Sequence, residues 1–144
     1  MNPIISEALR ILEDKARYNP FTITCPEDTK NYLRLKIADK EHEVFVCLFL
    51  DNRHQLIEYE QMFRGTIDGA SVYPREVVKR ALELNCAALI IAHNHPSGIP
   101  EPSEADKAIT RRIKDACDLV DIRLLDHFIV TLTSSVSLAE RGVI

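Results

Sequence analysis

Ala87-Ala88-Leu89-Ile90-Ile91-Ala92-His93-Asn94-His95 runs from an unbroken apolar segment straight into two histidines. Six apolar residues in a row, with Ile90 and Ile91 β-branched, read as a strand covered on both faces. Val44–Leu50 (VFVCLFL) is a second run of the same kind. Two buried strands set among helical patterns predict an α/β domain with a mixed sheet flanked by helices. Between the runs, Asp51–His54 reads as a turn, Gln55–Glu60 as a strand and Met62–Ile67 as another, and Asp68-Gly69 breaks the pattern. Pro74 then opens a helix through Leu84, with Val77, Val78, Ala81 and Leu82 on one face and Asn85 as its stop. Upstream, Ile5, Ala8, Leu9 and Leu12 recur at helical spacing over residues 4–17, ending before Asn19-Pro20. A second helix runs from Pro26 to Ala38. Downstream, His93–Pro102 reads as a loop, Ser103 begins a helix to Asp118, and residues 121–125 and 127–132 read as two short strands.

The bulk properties fit one globular domain. The chain has 144 residues, 46% of them apolar and 28% charged, enough to bury a core without disulfide or metal staples. The longest apolar run is far shorter than the roughly 20 residues a membrane-spanning helix needs. The N-terminus has neither a basic start nor a long apolar stretch, so no signal peptide is expected and a cytoplasmic protein is. Eighteen basic residues against 22 acidic give a net charge of −4, the opposite of the excess expected of a phosphate-binding surface. The group Arg111, Arg112 and Lys114 reads as a solvated helix face. Cys25, Cys47, Cys86 and Cys117 form no C-x-x-C pair and read as small buried hydrophobes in a reducing compartment.

The chemistry concentrates in His93-Asn94-His95-Pro96-Ser97-Gly98 and Pro102-Ser103-Glu104-Ala105-Asp106. If the strand continues through 95, His93 and His95 point to the same face and can share one metal ion. Asp106 lies in the first turn of the next helix, which the loop can fold back over the strand end. Two histidines and one carboxylate are three protein ligands. A catalytic zinc uses that number and keeps its fourth position for water, whose pKa falls to about 7. A general acid/base that is not itself a ligand must then move the proton. The bland readings stand beside this one. H-x-H alone is a weak signal, and Ser103-x-x-Asp106 also fits a helix capping box. The zinc deaminase signature and H-E-x-x-H are both absent from the sequence.

His-x-His, seven residues, Ser, two residues, Asp resembles the JAMM (MPN+) metalloprotease motif. The longer run 93–106, with Phe63-Arg64-Gly65-Thr66-Ile67, Pro74-Arg75-Glu76-Val77 and Leu125-Asp126-His127, is similar to the bacterial RadC-like family. The resemblance covers residues 26–144, leaving 1–25 as an N-terminal helix and connection. It implies a JAB/MPN-type fold with a cytidine-deaminase-like layout and one Zn2+ per chain on His93, His95 and Asp106. It also implies a glutamate at the start of a buried strand as acid/base. Glu43 matches that position best, with Glu41 as runner-up because it shares the strand parity. Ser103 would steady an oxyanion. Longer family members carry an N-terminal helix-hairpin-helix region. With residues 1–25 ahead of the match, the chain resembles the short single-domain members. His127 reads as a satisfied core or sheet-edge histidine, with support of the site from a second shell as the alternative. His42 and His54 read as exposed. Arg75 follows Pro74 at a helix start and has no assigned role.

The resulting expectation is a zinc-dependent hydrolase of a peptide or isopeptide bond, acting on a peptide or protein substrate. The alternatives are a non-proteolytic, DNA-repair-associated protein, which the net charge disfavours, and a metal-binding interaction module without catalysis. The edges of so small a sheet are compatible with a homodimer.

Overall fold

The computed structural model describes residues 2–18, 25–65 and 72–144. Its elements are α1 (Pro3–Tyr18), α2 (Pro26–Ile37), β1 (Val44–Leu50), β2 (Leu56–Arg64), α3 (Pro74–Glu83), β3 (Ala88–Asn94), α4 (Glu104–Leu119), β4 (Arg123–Val130) and β5 (Ser135–Ser137). The strands form one sheet in the order β2-β1-β3-β4-β5. Only β3 and β4 are parallel, joined by α4, and every other neighbouring pair is antiparallel. The mixed α/β architecture expected from the two apolar runs is the one found.

Strands β1 and β3 are buried at every position, and alternation splits them between two cores. Val44, Val46, Leu48 and Leu50 join Ala88, Ile90 and Ala92 against Leu33 and Ile37 of α2 and Leu9 of α1. Phe45, Cys47 and Phe49 join Leu89 and Ile91 against Val77 and Ala81 of α3 and Ile109, Ile113 and Cys117 of α4. The sheet is thus sandwiched between two helical layers. The α3 and α4 helices end alike. Asn85 (φ 53°) and Asp121 (φ 61°) adopt the left-handed conformation. The N–H groups of Cys86 and Ile122 reach back to the carbonyls of Ala81 and Cys117 at 3.1 and 3.0 Å, closing orphan carbonyls of the last turns.

Four expectations are corrected. The segments 55–60 and 62–67 do not form two strands. Residues 56–64 form one strand, and register shifts opposite β1 leave Ile57 and Met62 as extra residues. Such bulges break the period-2 pattern without ending the strand. Thr66, Ile67 and Asp68-Gly69 lie outside the described residues, as does Asn19-Pro20. Residues 121–125 and 127–132 likewise merge into β4, with Leu125 unpaired at a register shift. The pattern carried no sign of β5, three residues long, which pairs with the end of β4. The loop read as 93–102 starts later, because β3 continues through Asn94 and His95 N–H still donates to Val130 O at 3.0 Å. Cys25 also departs from its reading. It is exposed, while Cys47, Cys86 and Cys117 are buried, all as free thiols.

Candidate metal centre

Because β3 runs on to its last possible residue, His93 and His95 project from one face at the sheet's end. Helix α4 starts above them. Ser103 is its N-cap: Ser103 Oγ accepts from Asp106 N–H at 3.0 Å, and Asp106 Oδ2 accepts from Ser103 N–H at 2.8 Å. This reciprocal box fixes the rotamer of Asp106 and turns its carboxylate down onto the histidines. The capping reading and the ligand reading of Ser103-x-x-Asp106 therefore describe one geometry.

Three ligand atoms converge. His93 Nε2 and His95 Nε2 are 2.9 Å apart, His93 Nε2 lies 3.3 Å from Asp106 Oδ1, and His95 Nε2 lies 3.4 Å from Asp106 Oδ2. Donor atoms of a tetrahedral zinc with arms of about 2.0–2.1 Å sit about 3.3–3.4 Å apart. Among the described residues this is the group of His, Cys, Asp and Glu that could hold a metal ion. His93 and Asp106 are almost fully buried, and His95 keeps a 15% opening to solvent. Three anchored donors with one open side fit a divalent cation that retains an exchangeable position.

The electrostatics agree with a cation-seeking site. Burial would raise the Asp106 carboxyl, but the imidazoles of His93 and His95 beside it, together with the Ser103 N–H, outweigh it and hold the group well below the usual carboxylate range. His95 is raised chiefly because the Asp106 carboxylate beside it favours the protonated ring, with the charge of Glu43 adding to the effect. On its far side, His95 Nδ1 donates to the Ile99 carbonyl at 2.9 Å. A carbonyl can only accept, so Nε2 of the neutral ring carries the lone pair toward the centre.

Glu43 stands half-buried one residue before β1, with the parity of Phe45, whose ring stacks on His93 at 6.4 Å and 12°. Glu41 is exposed and lines a cleft of about 520 Å³ that opens beside His95. Ser103 is exposed at the rim.

Three residues of the neighbourhood were not singled out as site residues. His127 is fully buried, and its Nε2 lies 2.8 Å from His93 Nδ1. Of the two bland readings of His127, the satisfied core histidine is the one found, and the sheet edge is not, since β4 lies between β3 and β5. Burial, and then the neighbouring His93, push its pKa well below the ordinary value. Thr110, also fully buried, places Oγ1 2.5 Å from His127 Nδ1 and donates to Asp106 O at 2.6 Å. Asn94 faces the opposite way from its flanking histidines. Its Oδ1 accepts from Val44 N–H at 2.8 Å, and its Nδ2 donates to the carbonyls of His42 and Lys40 at 3.0 and 3.3 Å. The T at 110 carries no motif of its own in the sequence. Its position four residues after Asp106, one helical turn on, is the signal that was available.

The remaining singled-out residues lie apart from the cluster. Arg75 is 82% exposed, its guanidinium 5.7 Å over the Tyr73 ring. His42 is exposed, but His54 is half-buried, with Nε2 3.1 Å from Arg123. Arg111 and Arg112 are exposed, and Lys114 pairs with Asp118 at 2.7 Å within its own helix. Among the described residues, no helix is long and apolar enough to cross a membrane.

Comparison with known proteins agrees with this architecture. A UPF0758 protein of Vibrio cholerae is 60% identical over 140 residues, covering 96% of this chain and 87% of the relative. UPF0758 proteins of Thioalkalivibrio sulfidiphilus and Halorhodospira halophila are 62% and 55% identical over 122 and 144 residues. Those matches cover 85% and 100% of this chain but only 54% and 64% of the relatives' own lengths. The family model described as the RadC-like JAB domain matches residues 23–143. With the mixed sheet, the flanking helices and this nearly full-length match, the chain belongs to the RadC-like JAB domain family.

Proposed function

We propose that this domain is a zinc-dependent hydrolase that cleaves an amide bond, in a peptide or an isopeptide linkage. The observation that carries the reading is the convergence of His93 Nε2, His95 Nε2 and an Asp106 carboxylate oxygen within 2.9–3.4 Å at a site open on the His95 side. His93, His95 and Asp106 would hold the zinc, which would supply Lewis acidity toward an amide carbonyl and lower the pKa of water toward neutrality.

The chain's own groups do the rest. Glu43 takes the proton of the attacking water and returns it to the departing amine nitrogen. Its charge is already felt at His95. Ser103 accepts the Asp106 N–H through its oxygen, so its hydroxyl proton is free to donate to a developing oxyanion. The substrate chain lies in the cleft beside His95, which Lys40, Glu41, Leu132 and Thr133 help to line. Leu132 of that lining is 68% exposed, which suits an extended peptide with an apolar side chain.

The experiment is metal content and hydrolysis measured together. Wild type should carry about one zinc per chain and cleave peptide or isopeptide substrates. Glu43→Gln should keep the zinc and lose on the order of 10²–10⁴ in rate, and His93→Ala should lose both. Zinc without hydrolysis of any amide substrate would leave a metal-binding interaction module. Salt-dependent binding to DNA without hydrolysis would move the nucleic-acid reading forward.

A further inference from the structure

The four buried groups behind the metal centre form a chain of hydrogen bonds whose direction can be worked out. It starts at the backbone carbonyl of Asp106, which can only accept. Thr110 Oγ1 lies 2.6 Å from that oxygen, so the one hydroxyl proton of Thr110 is committed there. Thr110 Oγ1 has only lone pairs left for His127 Nδ1 at 2.5 Å, so His127 carries its proton on Nδ1. The neutral ring then presents a lone pair at Nε2, 2.8 Å from His93 Nδ1. His93 must donate from Nδ1, which leaves the lone pair of His93 on Nε2. That atom faces His95 Nε2 and Asp106. Asp106, Thr110, His127 and His93 are each at most 2% exposed, so no bulk water stands in for a missing partner.

We infer that Thr110 and His127 are positioning residues that lock His93 in its metal-ligating tautomer and so set the affinity of the centre. The inference rests on the metal-site reading above. The relay begins and ends on the ligand set: Asp106 supplies a carboxylate to the centre and a carbonyl to the relay. It ties the ligand on α4 to the ligand on β3 through β4. A ligating histidine usually gives its second ring N–H to a carboxylate, carbonyl or water. Here it gives it to another histidine, whose own tautomer is set by a threonine. With both rings so fixed, two lone pairs meet 2.9 Å apart beside a carboxylate, an arrangement that a cation relieves. Removing the hydroxyl of Thr110 leaves His127 Nδ1 without an acceptor. The alternative arrangement moves both protons: His127 donates from Nε2 and His93 turns an N–H toward the metal position.

The test uses the full chain. Long-range 15N–1H spectra of the imidazoles in metal-free wild type should show His93 protonated at Nδ1 and unprotonated at Nε2. Thr110→Val should lose this pattern, and Thr110→Ser should keep it. Zinc affinity, measured by competition with a chromophoric chelator, should fall 10–100-fold in Thr110→Val and recover in Thr110→Ser. His93 protonated at Nε2 in metal-free wild type would overturn the proposal, even if Thr110→Val does not fold. So would a Thr110→Val protein with wild-type affinity. Wild type that binds no zinc, yet shows His93 Nδ1–H, would instead overturn the metal reading and leave the tautomer assignment standing.

Discussion

Asn94 Oδ1 accepts the backbone N–H of Val44 at 2.8 Å, where the β1–β3 ladder would otherwise need another backbone carbonyl. The residue between the two candidate ligands therefore holds the strand start that follows Glu43. Its amide nitrogen also holds the carbonyls of His42 and Lys40. A single side chain clamps the 40–44 segment against the end of β3. The position of Glu43 relative to His93 and His95 depends on it.

Asn94→Ala removes three hydrogen bonds and leaves the buried Val44 N–H unpaired. Each such buried group costs about 1–3 kcal/mol. The melting temperature should drop by roughly 5–10 °C, at roughly 2–4 °C per kcal/mol for a domain of this size. Zinc content should be retained while hydrolysis falls, because the ligands stay and Glu43 loses its support. Thermal melts, metal analysis and rates on one preparation check this. Equal losses of zinc and activity would contradict it.

Ser103 is assigned both a cap and a catalytic hydroxyl, and the two separate in Ser103→Gly. Glycine at an N-cap costs only a few tenths of a kcal/mol, so the melt should barely move. Loss of the hydroxyl should lower kcat by about 10²-fold with KM little changed. Unchanged kcat would reduce Ser103 to a cap.

Chelation should destabilise the protein in a reversible way. At free zinc about 1,000 times its Kd, binding to the native state adds about 4 kcal/mol. Scanning calorimetry before and after chelator should show a fall of roughly 10 °C, restored by zinc. Asp106→Asn keeps an oxygen for the Ser103 N–H but loses the negative charge at the metal position. It should therefore show no zinc-dependent shift.

Asp126 offers a pH-dependent test away from the ligands. Burial raises its pKa, against the pull of hydrogen bonds from Ser137 Oγ and from the N–H groups of Ala139 and His127. A folded-state pKa above the unfolded one contributes stability that is complete below the unfolded value. That contribution is lost as pH rises through the folded value. Asp126→Asn keeps the amide oxygen for the two N–H donors and cannot ionise. Its melting temperature should gain on wild type as pH rises from about 4 toward neutrality. A difference that does not change with pH would show that the carboxyl is not raised.

Much of this protein is legible in its linear chain. Val44–Leu50 and Ala88–Ala92 lack any polar residue, as a short strand covered on both sides does. His93, His95 and Asp106 are linked by short-range geometry: period two within a strand, and one helical turn beginning at a capped serine. Those rules act over a few residues, so spacing alone predicts that the three can meet. The roles of His127 and Asn94 depend on distant partners. Leu124 faces the α3–α4 core, and strict alternation would send residue 127 to the opposite face. The unpaired Leu125 inserts one residue in the β4 register, so His127 pairs beside Ile91 on the face that carries His93. A strand's side-chain direction has period two, and one extra residue reverses it. Only the pairing of β4 with β3 decides where that residue falls, and pairing between strands is a property of the tertiary structure.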